Sequence, residues 1–343
     1  MQGVLTRFRG SSSDLIALSL VAIVLLWLFV NFVKAPTEFI NIGLIGLTTG
    51  TIYGLVALGY TLVYGILQLI NFAHGDVFAL SGLVASTAIV SILGLDEASG
   101  VLVIIGGLAL TIVVIMAGFA LFNASIERVA YRPLRNAPRL APLITAVGMS
   151  FIVQNVSLAL YGVNYRAVPS FIPRTDAIHI GGVTYSWSKA SVLIIVIPLL
   201  VALSWFISST KQGKAMRAVA QDTEASAMMG IDVNRTIAVT FLLAGALAGA
   251  AGIVYLLQFN MRYDTGFELG LIAFTAAVLG GIGNLSGAVL GALLIGFIQA
   301  FNEGLGWFAP GSDWTRSIVF GILILILVFR PEGLLGEQTP EGA

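Results

Sequence analysis

Cysteine is absent from the 343 residues, and with it go disulfides, thiolate metal sites and cysteine nucleophiles. The chain has two histidines, His74 and His179, and charged residues make up only 10% of it. Lys and Arg number 17, as do Asp and Glu, so there is no excess of one sign to draw nucleic acid. A phosphate loop of the form G-x-x-x-x-G-K-[ST] is missing: Gly213-Lys214 has no glycine five positions earlier, and Ala215 follows it. The His-Glu-x-x-His helix and the Gly-x-Ser-x-Gly elbow are missing too. His74-Gly75-Asp76 and Tyr161-Gly162 come nearest to an acid–base pair, and neither completes one. No catalytic residue, metal ligand or cofactor is assigned.

What the chain has in abundance is apolar surface. Hydrophobic residues make up 58%, the mean hydropathy is +0.98, and several apolar runs approach twenty residues. That places the chain in a bilayer. The runs predict an all-α integral membrane protein with about ten crossings, near 14–33, 39–69, 75–95, 101–125, 140–162, 190–209, 236–258, 267–283, 285–303 and 314–329. The block at 39–69 is long for one crossing, which predicts either tilt or a break at Gly50, Gly54, Gly59 or Gly65. Only Gly280-Gly281-Ile282-Gly283-Asn284 separates 267–283 from 285–303, so these two read as a short hairpin. Arg7 and Arg9 precede the first block in the manner of a signal peptide. The block is too long and no small-residue cleavage pattern follows, so it reads as a retained helix.

Basic residues set an orientation. With the N-terminus inside, eleven Lys and Arg fall on the cytoplasmic side and six outside, which predicts that both termini are cytoplasmic. Residues 163–189 then lie outside. They carry Pro169, Pro173, the alternating Ile178-His179-Ile180 and Val183-Thr184-Tyr185, and Gly181-Gly182 between them, a pattern for an external loop or hairpin. Residues 211–235 lie inside, with four basic residues and the signals of a short helix. Asp222 is placed to cap it, Glu224 puts charge in its first turn, and Gly230 is placed to close it in a left-handed conformation. A helix of about seven residues is too short to stand alone in water, so it reads as a handle for a cytoplasmic partner. Crossings two to five and seven to ten are related by an odd shift of five, which inverts one set against the other.

Three further groups are singled out. Asn71 and His74, with Asp76, are either a pore mouth or a helix-end cap with His74 packed between spans. Arg128, Arg132 and Arg135, with Arg139, are either a topology signal touching lipid headgroups or a contact to a cytoplasmic or membrane partner. Gly280, Gly281 and Gly283 mark close packing or a helix break, with pathway lining as the alternative.

Several stretches together carry a family resemblance. Glu224-Ala225-Ser226, three residues, then Gly230 is similar to the E-A-A-x-x-x-G loop of ABC importer permeases, although Thr240 and Leu243 stand where that pattern has Ile and Pro. More specific are Ile70-Asn71-Phe72-Ala73-His74-Gly75-Asp76, Tyr131-Arg132-Pro133-Leu134-Arg135, Ala276 through Gly287, and Arg330-Pro331-Glu332-Gly333-Leu334-Leu335-Gly336. From about residue 40 to 336 the chain resembles the H-type permease subunit of branched-chain amino acid importers, a family that also holds urea and short-chain amide permeases. The resemblance implies one permease domain over 1–343 in the bacterial plasma membrane. It also implies a second homologous permease, two cytoplasmic ATPases that act on Asp222, Glu224, Ala225 and Gly230, and an extracytoplasmic binding protein. A self-sufficient secondary carrier is the rival class. Its signature, paired charges at mid-membrane, is nearly missing from the apolar blocks.

Overall fold

The computed structural model describes residues 12–135, 137–138, 140–173, 175–330 and 332–336. Arg7, Arg9, Arg139, Arg174, Pro331 and both termini lie outside the described residues. Ten apolar helices appear where ten were expected: α1 (Ser12–Lys34), α2 (Pro36–Leu67), α3 (Ala73–Thr87), α4 (Val101–Ile126), α5 (Leu140–Tyr161), α6 (Trp187–Ser209), α9 (Val233–Leu256), α10 (Thr265–Gly280), α11 (Leu285–Gly304) and α12 (Ser312–Phe329). Among the described residues eight helices are long and apolar enough to cross a membrane, and Val21–Lys34 and Thr265–Gly280 are shorter apolar helices. Two shorter helices, α7 (Lys211–Gln221) and α8 (Thr223–Met228), fill the gap between α6 and α9. Single π-helical turns extend α3 through Ile92 and α4 through Tyr131.

Of the two expectations for the second span, tilt or a break, the break does not occur. α2 runs unbroken for 32 residues, about 48 Å at ~1.5 Å per residue, well beyond the ~30 Å hydrocarbon thickness. It stops at Gln68, whose φ of 51° turns the chain left-handed. Its glycines are contact points instead. Gly46 and Gly50 bring the backbone of α11 close at Phe297 and Leu293, and a Cβ on Gly59 would overlap the His74 ring. Small residues at such crossings allow the backbone approach that holds helices together in lipid.

α2, α3 and α9 form the buried centre, while α4, α5, α6 and α12 present broad apolar faces outward. The packings fall into two matching sets. α2 lies on α11 as α9 lies on α4; α3 meets α9 as α10 meets α2; α3 touches α5 as α10 touches α12; and α2–α9 and α3–α10 pair across the centre. Gly245 and Gly249 of α9 face Phe119 and Ile115 of α4, the counterpart of Gly46 and Gly50 against α11. This exchange of α2–α5 with α9–α12 is the packing that inverted units generate.

A hairpin of β1 (Asp176–Ile180) and β2 (Val183–Ser186) stands at one end of the bundle. Ile178 pairs with Tyr185 and His179 with Thr184. The two loop residues Gly181 and Gly182 have φ of 56° and 86°, the pair of positive values that a tight two-residue turn requires. Tyr185 Oη lies 2.8 Å from Thr48 Oγ1, and Asn41 Oδ1 accepts from the Thr184 backbone N–H at 2.9 Å. Those contacts fix the hairpin to α2.

Candidate functional site

At the end opposite the hairpin, α6 passes into an elbow built from α7 and α8. Thr210 begins it by accepting from the Gly213 N–H at 3.0 Å. Gly213 sits on the Phe206 and Ile207 carbonyls, where a Cβ would overlap. Arg217 donates to the Ile207 carbonyl, so a cation covers the free carbonyls of the α6 C-terminus. α7 buries Met216 and Val219 and leaves Lys211, Lys214 and Arg217 on its exposed side. This amphipathic helix falls in a stretch that reads as loop from its polarity.

α8 follows with only six residues. Asp222 Oδ1 accepts from the Ala225 N–H at 2.8 Å. Gly230 has φ of 83° and donates its N–H to the Ala227 carbonyl, while Ile231 N–H reaches back to Ser226. The chain is thereby turned away at once. Ser226 is buried, Glu224 is exposed, and Met228 and Met229 are 82% and 83% exposed. Two large apolar side chains standing free on so short a helix were not singled out from the sequence. The signal was their adjacency to the Gly230 stop.

The three arginines separate. Arg128 and Arg132 are exposed. Arg135 instead donates to Asn234 Oδ1 at 2.7 Å and pairs with Glu127, whose side chain is 2% exposed. Burial pulls the Arg135 guanidinium below its ordinary pKa, against the opposing pull of Glu127. This arginine therefore ties the end of α4 to the start of α9.

Asn71, His74 and Asp76 come together at the start of α3, all fully buried. The capping role expected of Asn71 or Asp76 is not what they do. Phe72 occupies the cap position with no side-chain bond, and the His74 N–H is met by the Asn71 backbone carbonyl at 3.0 Å. Asp76 already lies within the first turn, so its carboxylate points off the helix and accepts from Ser150 of α5 at 2.5 Å. Asn71 Oδ1 accepts from Tyr131 at 2.7 Å. His74 is packed between α2 and α3, edge-on to Tyr60 with 4.9 Å between ring centres. Ser150 and Tyr131 are distant in sequence, and only the fold brings them here.

Gly280, Gly281 and Gly283 form a packed joint. A Cβ on Gly280 would overlap Gly287 of α11, and one on Gly281 (φ of 108°) would meet Gly336. Leu334 and Leu335 donate to the carbonyls of Leu279 and Gly280, both at 2.9 Å. Asn284 caps α11 through Gly287 N–H at 2.9 Å and donates to Leu335 at 2.8 Å. Gly283, with φ of 95°, faces open space.

Among the described residues no three His, Cys, Asp or Glu side chains gather to hold a metal. A ten-helix apolar bundle, a hairpin at one end and a stapled helical elbow at the other define a multi-pass membrane protein of the transporter type. The family described as the branched-chain amino acid transport system permease component matches residues 42–328, and the chain belongs to it. It is 40% identical over 302 residues to the high-affinity branched-chain amino acid transport system permease protein BraD of Pseudomonas aeruginosa, spanning 86% of this chain and 95% of that one. With the corresponding LivH protein of Escherichia coli K12 it shares 37% over 301 residues, with the same coverage of both. A probable LivH permease of Methanocaldococcus jannaschii is 26% identical over 298 residues, or 82% of this chain and 88% of that one.

Proposed function

We propose that the chain is the membrane permease subunit of an ATP-driven importer of branched-chain or other amino acids, lodged in a bacterial plasma membrane with both termini cytoplasmic. It forms half of a substrate pathway with a second, homologous permease. An extracytoplasmic binding protein delivers solute to the hairpin end, and two ATPases engage the α7–α8 elbow. The observation that carries this reading is the capped six-residue α8, anchored through α7 to α2, α6 and α9 and presenting Met228 and Met229 outward. An element stapled on one side and bare on the other transmits a push as a rigid body. ATP-driven closure of the ATPase pair would then switch a packed two-state bundle rather than bend it. Family membership over residues 42–328 supports the same assignment.

Reconstitution tests it. The chain should co-purify with its ATPases, and liposomes holding the full set with binding protein should accumulate leucine only when ATP is supplied. Concentrative uptake by the chain alone would overturn the importer in favour of a secondary carrier. Uptake of urea in place of leucine would reassign the substrate.

A further inference from the structure

A cavity of about 660 Å³ opens between α2, α10, α11 and α12 at the hairpin end. Its lining carries four acids and two arginines. Arg262 forks onto Asp264, and Arg316 forks onto Glu268 at 2.6 and 2.7 Å. Both cations are thereby matched, and the charge left over belongs to Glu303 and Asp313.

Glu303 is held in a particular way. Tyr53 donates to Gln299 Oε1 at 2.7 Å, and Gln299 Nε2 donates to Glu303 Oε1 at 3.1 Å. From the other side Asn302 donates to Thr315 at 2.9 Å, and Thr315 donates to the same Glu303 Oε1 at 2.8 Å. Two chains of donors converge on one carboxylate oxygen, while among the described residues nothing donates to Oε2. The helix dipole does not favour a carboxylate here, because Glu303 sits in the last turn of α11, where the dipole is itself negative.

A second, separate feature faces the same space. Thr48 and Thr51 bond back to the Leu44 and Leu47 carbonyls at 2.9 and 2.6 Å. Thr49 lines the cavity between them and is 7% exposed. Tyr53 lies one turn below Thr49 on the same face of α2, and Tyr255 and Phe259 supply further aromatic wall.

We propose that this cavity is an ammonium-binding station of the pathway, taking the charged amino group of an aliphatic α-amino acid at Glu303 Oε2. Thr49 offers an oxygen acceptor, and the rings give a surface that attracts cations. Ile45, Leu269 and Ile272 in the same lining accept the aliphatic side chain. The proposal rests on the import reading and narrows its substrate: urea and short amides carry no cation and gain nothing from the leftover charge.

The test is binding of radiolabelled leucine to the full chain in lipid nanodiscs. Isopentylammonium, which keeps the ammonium and loses the carboxylate, should compete. 4-Methylpentanoate, which does the reverse, and urea should not. Glu303→Gln, nearly isosteric and on an exposed helix end, should weaken leucine binding about tenfold or more, the scale of one charge-assisted hydrogen bond. Thr49→Val should weaken it by a smaller factor. Equal competition by 4-methylpentanoate, unchanged affinity in Glu303→Gln, or no saturable binding by the wild-type chain would overturn the station. Ammonium-selective binding without ATP-dependent uptake by the assembled set would instead refute the import reading and leave the station standing.

Discussion

Gly75 of α3 and Gly266 of α10 face each other so closely that a Cβ on either would land on the carbonyl of the other. Gly270 extends the contact, packing on Gly75 beside the Tyr60 hydroxyl. The two helices begin here, N-terminus toward N-terminus, and the crossing joins one half of the bundle to the other. Gly266→Val should therefore destabilise the protein by about 1–3 kcal/mol, the usual range for overpacking, read as a lower melting point in detergent. Gly148→Ala on α5, where an added Cβ meets nothing within 4 Å, should leave it unchanged. Equal melting points for Gly266→Val and wild type would remove the crossing as a structural joint.

Tyr131 spans from the end of α4 to Asn71 at the start of α3. Both are buried, so Tyr131→Phe leaves the Asn71 oxygen without a donor and should cost about 1–3 kcal/mol. Asn71→Leu combined with Tyr131→Phe should cost less than the two single changes added together, since the pair loses its unmet polar atom. A double-mutant cycle in detergent unfolding measures the coupling, and strict additivity would count against the bond.

Glu127 is the buried member of its pair with Arg135. Removing the guanidinium by Arg135→Ala leaves a carboxylate uncompensated in a low-dielectric site, a loss of about 3–5 kcal/mol. Glu127→Gln in that background should recover much of it. Arg128→Ala and Arg132→Ala, at exposed positions, should leave stability near wild type, and a loss as large as that of Arg135→Ala would show that they too are structural.

Much of this architecture is legible in the residues, for reasons that differ by element. The ten apolar runs stand out because lipid demands length and continuity. The hairpin follows from strict alternation around Gly181-Gly182, and α8 from Asp222 and Gly230, all local chemistry. α7 is missed because its apolar face holds only Met216 and Val219 beside a glycine, too little to offset its lysines in any reading by hydropathy. The glycines of α2 invite a break because glycine weakens a helix, yet here the weakness is offset by α11 lying in the space they leave. Asp76 with Ser150 and Arg135 with Asn234 are partnerships between segments far apart in the chain. No local pattern announces them.

Orientation is open to a direct test because the chain has no cysteine. Ile180 at the hairpin and Met228 on α8 are 71% and 82% exposed and lie at opposite ends. Ile180→Cys should react with an impermeant thiol reagent in intact cells, and Met228→Cys only after the membrane is opened. The reverse pattern would turn the whole proposal over, placing the elbow outside and the ATPases out of reach.

The coupling role proposed for the elbow turns on Gly230. Its φ of 83° lies where a side chain costs about 1–2 kcal/mol, and space is not the issue, since an added Cβ meets nothing within 4 Å. Gly230→Val must therefore act through the backbone, unwinding the turn that directs the chain from α8 into α9 while leaving the apolar bundle folded. The variant should insert and melt close to wild type, its assembled importer should still hydrolyse ATP, and leucine uptake should fall by about tenfold, the effect of roughly 1.4 kcal/mol on the coupled state. Gly230→Asn separates backbone strain from loss of contact, because asparagine tolerates the left-handed region, and it should retain most of the uptake. Full uptake in Gly230→Val, or equal loss in both variants, would show that the turn is not what couples the elbow to transport.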